Sequence, residues 1–370
     1  MKTKRFVQIL AIVLLATINH QLSTCLAQGS LTPAGTPAPT MKSLAQIEPR
    51  TPIAAAPFTI SVPGSYYLMT NLVCTVSNAI AISASGVTLD LNGFTISSTV
   101  ANAANGGAAI LLGSGLRNVT VANGFIQGGV TNNGGGVYSG RGFGYGIFYS
   151  GNPPVNVLVS RVSVTGCLYN GIYLGLGYST VMESCNVATC GSFGIMASTI
   201  KQSSAIDCGS YAIFGDEVSD CEGQATDGEG ITATTAQNCV GHGTGGVGLY
   251  ALNAQNCYGY SDSSFAIYAD TAQGCEGYSS GNGSGVVADS IVNCYGYSSG
   301  NGNGVSGDCV VNCYGTSGGS GIGVVASYIA SGCHGISNSG TGVSAFIASV
   351  CHGSSALGFA LSTPHNVNSY

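Results

Sequence analysis

The chain has 370 residues, of which 58 are glycine and 15 cysteine; tryptophan is absent and only 6% of the residues are charged. Nine Lys and Arg stand against fifteen Asp and Glu, and no basic residue follows Lys201. The clustered cations that phosphate backbones or anionic lipid surfaces require are therefore missing, which argues against a nucleic-acid partner and against an electrostatically bound membrane surface.

Met1 to Ala27 reads as a secretory signal: Lys2, Lys4 and Arg5, an apolar run from Phe6 to Ala16, and a small-residue site ending at Ala27. The run is too short to span a bilayer, so the expectation is export to the medium or the cell surface with no membrane span. Without this segment, six basic residues face fifteen acids, a net charge of −9. Residues 28–57, rich in Pro, Thr and Ala, read as a linker. The ordered body is expected at 58–361, followed by a tail at 362–370.

Three phrases then occur in order: EPRTPI at Glu48–Ile53, PGSYYL at Pro63–Leu68 and GVTLDLNGFTI at Gly86–Ile96. Together, over about fifty residues, they resemble the first coils of secreted bacterial right-handed parallel β-helix proteins of the pectate-lyase-like superfamily. The resemblance implies the fold and its handedness. It implies no single activity, because that superfamily holds lyases, hydrolases, epimerases, tailspikes and adhesins.

Coils in the first half of the chain are long and irregular, with one strand pair recurring at Val87, Val119, Val157 and Val181. The gap before the third of these holds the Gly-rich stretch Asn132–Gly146, read either as a lip or binding loop or as a loop without a role. A Gly-His-Gly at Gly241–Gly243 is shared with polygalacturonases, but the Asn-Thr-Asp, Asp-Asp and Arg-Ile-Lys phrases that accompany it there have no counterpart here. His242 also occupies the repeat position of Tyr260, Tyr278 and Tyr297, so the match reads as a product of the repeat.

From Asp220 to Gly358 one phrase returns: DCEGQ, NCVGH, NCYGY, GCEGY, NCYGY, NCYGT, GCHGI, VCHGS. Its cysteines, Cys221, Cys239, Cys257, Cys275, Cys294, Cys313, Cys333 and Cys351, recur at a nearly constant spacing. Such a period marks a solenoid, and units of Gly, Ser, Asn and Val without a helix-forming run make it one of short strands. The predicted fold is thus all-β: a single-stranded parallel β-helix (β-solenoid), right-handed as the resemblance implies, with regular coils of about 18 to about 20 residues in the C-terminal half. A second column, Cys167, Cys190 and Cys208, is expected to continue through Thr226 and Thr244.

Like residues stacked in parallel about 4.8 Å apart have side chains pointing the same way, a poor disposition for disulfides. A buried ladder of free thiols is the favoured reading. Metal binding by cysteine is disfavoured, since no CxxC or Cys/His tetrad occurs.

Candidates for chemistry are few. The densest charge, containing Asp216, Asp220, Asp227 and Glu229, is either a solvated turn region, the source of a general acid and base for glycoside hydrolysis, or a Ca²⁺ site. Asp270, Asp289 and Asp308, each five residues before their cysteine, either cap turns or bridge through Ca²⁺; no other cofactor is expected.

Strand parity supplies the binding candidate. If each ladder cysteine points inward, residues one and three places later point outward, which lays Tyr258, Tyr260, Tyr278, Tyr295, Tyr297 and Tyr314 on one face. The favoured function is a non-catalytic exported solenoid whose Tyr-rich face binds polysaccharide, cell-envelope glycan or its own copies. The alternative is a polysaccharide lyase or glycoside hydrolase with a groove in the N-terminal half or at residues 216–229.

Overall fold

A computed structural model describes residues 48–370; the expected signal segment and most of the expected linker lie outside the described residues. Strands from Thr51 onward pair in parallel with the strand one coil later, apart from one antiparallel hairpin. The result is the parallel β-helix that period and resemblance imply. Among the described residues, no helix is long and apolar enough to cross a membrane.

Each regular coil visits three faces. Tyr258–Ser261 lies on the face that follows the ladder cysteine, and Ile267–Gln273 then crosses the two remaining faces in one strand. Tyr66, Leu89, Val121, Val159 and Met182 align in turn on the early coils, which differ in length among themselves. The short, regular coil begins where Met182 meets Ile200.

The interior is built of columns. Ile231, Leu249, Ile267, Val286, Val305, Val324 and Val343 stack with no exposed surface; each buried aliphatic side chain contributes roughly 1.5–3 kcal/mol of transfer free energy. Opposite them runs the cysteine ladder, whose members from Cys221 to Cys351 are all buried and free. Each thiol donates to the carbonyl two residues earlier, as Cys257 Sγ does to Gln255 O at 3.2 Å.

Residue choice in the repeated phrase follows from two backbone demands. The residue before the cysteine turns the corner with positive φ, 52° at Asn256, 55° at Asn293 and 63° at Gly274, a region that Asn tolerates and Gly enters freely. The glycine two places after the cysteine points inward where opposite strands nearly touch: a Cβ on Gly259 would sit 2.2 Å from the Ala266 carbonyl oxygen, and one on Gly296 2.0 Å from that of Gly304.

Three expectations change. Thr51–Ile53 already pairs with Tyr66–Leu68 and buries Ile53, so the solenoid starts inside the segment assigned to the linker. Leu361–Ser362 and His365–Val367 pair with Val343–Ser349, so the expected tail completes a last coil. The second cysteine column passes from Cys208 to Ala225 through a register shift and on to Gly243 and Ser261; Thr226 and Thr244 fall one place beyond it. The strand Glu222–Ala225 is one residue shorter than Ser204–Cys208, which produces the shift.

Candidate functional site

An aromatic concavity lies on the face that carries the aliphatic columns, in the irregular coils. Strand Tyr145–Tyr149 contributes Tyr145, Phe148 and Tyr149; the next coil adds Tyr169, Asn170 and Tyr173, and the one after it Ser192 and Phe193. The cleft has a volume of about 520 Å³. Phe148 and Tyr173 face outward as the strand neighbours of inward Ile147 and Ile172, while Tyr145 and Phe193 stand at the first position of their strands, where two buried residues in succession, Gly146–Ile147 and Gly194–Ile195, break the alternation.

Its walls are rings braced against one another. Tyr145 stacks on Phe148 at 4.2 Å, Tyr173 reaches Phe148 at 5.7 Å and Tyr149 at 5.8 Å, and Phe193 meets Tyr173 edge-on at 5.6 Å. Burial raises the hydroxyls of Tyr145 and Tyr149 above the ordinary tyrosine range, so both stay protonated and able to donate near neutral pH. No charged side chain lines the cleft.

Beside it, the Gly-rich excursion forms a hairpin, Gly129–Asn132 with Tyr138–Arg141. It is docked: Asn132 Nδ2 donates to Asp207 Oδ1 at 2.7 Å, and the Tyr138 hydroxyl donates to the same oxygen at 3.0 Å. Asp207 thereby ties the excursion to the coils below it.

The acidic candidates are dispersed. Asp216 accepts from the Gly177 amide at 3.0 Å, and Asp220 turns a corner at φ 54° while accepting from Asn238 Nδ2 at 3.1 Å. Asp227 lies against Gly136 of the hairpin. Glu229 stands beside Tyr211, and its charge, with burial, raises that hydroxyl; Tyr211 in turn stacks on Phe193 at 5.1 Å. Glu229 thus ends the aromatic strip, with Asp216 and Asp220 elsewhere on the coil.

Asp270, Asp289 and Asp308 do stack on consecutive coils, between the columns Ala269–Ala288–Gly307 and Thr271–Ser290–Cys309. Among the described residues, no group of three or more His, Cys, Asp or Glu is arranged to hold a metal ion.

Tyrosine parity is as strand geometry requires: Tyr258 and Tyr260 alternate with buried Gly259 and Ser261. Stacking uses up the ring faces, however. Tyr260, Tyr278 and Tyr297 lie at 5.4 and 4.8 Å with interplanar angles of 5° and 12°, and Tyr295 lies on Tyr314 at 5.4 Å and 11°. Inside such a stack only edges and hydroxyls meet solvent. His242 closes the Tyr260 stack edge-on at 4.6 Å and contacts Asp262 at 3.3 Å. Against burial, which raises it, hydrogen bonds from Tyr260, Ser280 and His242 hold the Asp262 carboxyl below its ordinary range.

No family model and no curated protein matches this chain. Among solved structures it is similar to the A-module of the Azotobacter vinelandii mannuronan C-5 epimerase AlgE4, at 14% identity over 82% of this chain and 90% of that one, with a TM-score of 0.38. ORF18 of Geobacillus virus E2 is similar at 13% identity over 83% and 53% of the two chains, with a TM-score of 0.19.

The cleft residues escaped the reading of the sequence, although their signal is present. Tyr145, Asn170, Phe193 and Tyr211 each precede by two places the isoleucines of one column, Ile147, Ile172, Ile195 and Ile213. Aligning the chain on that column places the rings together.

Proposed function

We propose that the protein is an exported, non-catalytic solenoid that binds polysaccharide in the aromatic cleft around Phe148 and Tyr173. The observation that carries this reading is a concave, ring-lined surface that spans three coils and has no charged lining. Aromatic faces cover the apolar faces of sugar rings, while Tyr hydroxyls, Asn170 and Ser192 supply hydrogen bonds at the rim. Glycoside hydrolysis requires two carboxyl groups about the scissile bond, whereas Glu229 alone of the four acidic candidates touches the aromatic strip.

The test is retention on insoluble neutral polysaccharide. Phe148→Ser with Tyr173→Ser is expected to abolish retention with an unchanged circular dichroism spectrum; undiminished retention overturns the assignment to the cleft. Release of reducing ends or unsaturated products by the native protein overturns the non-catalytic reading.

A further inference from the structure

A shallow groove runs along the corner that precedes the tyrosine face. Its hollows are lined in succession by Asp220 and Glu222, by Tyr258 and Glu276, and by Glu276, Tyr295 and Tyr314. One wall is the corner column of Asn and Gly; the other is the first outward column of the tyrosine face.

At Glu276 this groove changes character. Glu276 pairs in register with Tyr258 on one side and Tyr295 on the other, which sets the two tyrosines two strand spacings, about 9.6 Å, apart. Tyr295 gives one face to Tyr314 and turns the other toward Glu276. Tyr258 has Val240 as its other neighbour, so it spends no ring face on a stack.

The corner wall drops at the same coil: Gly274 replaces the asparagine found at Asn256 and Asn293. Asn256 Oδ1 leans over it, only 2.6 Å from where a Cβ would stand. Glu276 is exposed and has no hydrogen-bond or ion-pair partner among the described residues. With no Lys or Arg after Lys201, the chain offers it no cation nearby in sequence.

Two ring faces, an unpaired carboxylate and an amide oxygen are all electron-rich. Glu276 occupies the strand position between the two rings, so a cation on its carboxylate is flanked by both tyrosines and gains both ring and carboxylate attraction. We infer that the Tyr258–Glu276–Tyr295 slot binds an amino-sugar unit, its free ammonium on Glu276 between the tyrosines and its pyranose ring across their outer edges. This deepens, and rests on, the reading of the protein as a glycan binder.

Calorimetry on the full chain with a glucosamine tetramer and its N-acetylated counterpart tests the assignment. Glu276→Gln is expected to weaken the glucosamine tetramer at least ten-fold with the fold intact by circular dichroism, and added salt to weaken the native protein. In a Phe148→Ser/Tyr173→Ser background, which removes the cleft, the glucosamine tetramer is expected to bind and the acetylated one not. Unchanged affinity in Glu276→Gln, or equal affinity for the two tetramers in the cleft-less background, overturns the slot. If only the cleft substitutions abolish binding, the slot fails and the polysaccharide reading stands; if only Glu276→Gln does, the slot stands and the cleft fails.

Discussion

Asn, Asp and Gly precede the ladder cysteine because the corner needs positive φ, and one position, Val350, breaks that rule. Val350 sits at φ 53°, where a β-branched residue is strained by roughly 1–2 kcal/mol, and it is 64% exposed, so it gains little packing in return. Val350→Asn is therefore expected to stabilise the protein by about 1 kcal/mol, read as a higher urea midpoint at unchanged slope; a lower midpoint would show that the corner prefers valine. The inward glycines have the opposite logic. With a backbone oxygen 2.0 to 2.2 Å from the missing Cβ at Gly296 and Gly259, any side chain forces the opposing strands apart.

Among elements, the thiol ladder has the most distinctive chemistry. Of the fourteen cysteines described, thirteen are buried and Cys309 is exposed. Brief alkylation of the native protein is expected to modify Cys309 and to spare Cys221 through Cys351 in the ladder until the chain unfolds, with peptide mapping as the readout; fast labelling of Cys257 or serial disulfides would refute the buried ladder. While thiol neighbours hold Cys221, Cys275 and Cys313 low, the hydrogen bonds with Cys221 and Cys313, and then burial, push Cys239 up to about 12 and Cys333 up to about 11 against the lowering bonds with Cys257 and Cys351. Unfolded thiols ionise near about pH 8.5, so above that pH the unfolded chain releases protons that the folded chain keeps. Stability from these groups is whole below about pH 8.5 and is lost as pH rises toward about 11. The fall of the urea midpoint through that alkaline window is expected to be smaller in Cys239→Ala/Cys333→Ala than in the native chain.

On the scale of the whole molecule, each coil contacts its neighbours along a quasi-one-dimensional stack, and the charge is unevenly spread along it. All basic residues end at Lys201 while acids continue to Asp308, so the C-terminal half repels polyanions wherever salt does not screen it. At an ionic strength of about 0.01 M, where charges act on one another out to about 30 Å, the protein is expected to pass unretained through a polygalacturonate matrix while a neutral polysaccharide holds it. Retention on the polyuronate would place a cationic site in the N-terminal half, around Arg117, Arg141 or Arg161.

The repeat alone determined the strands, their parallel stacking and the inward cysteine, because a short, nearly constant period with Gly-rich turns leaves few other ways to stack strands. It also determined that Tyr258 and Tyr260 face outward, since side chains alternate along a strand. Tertiary structure decided what those rings can do. Coil-to-coil spacing brings Tyr260, Tyr278 and Tyr297 within stacking distance, whereas in the neighbouring column Glu276 stands between Tyr258 and Tyr295 and keeps them from stacking on each other. It also decided the aromatic cleft, because early coils of unequal length hide the alignment of Tyr145, Asn170 and Phe193 that the pairing of Ile147, Ile172 and Ile195 restores. The carboxylates Asp216 and Asp220 fell on different parts of the coil for the same reason: closeness in sequence becomes separation when the chain turns between them.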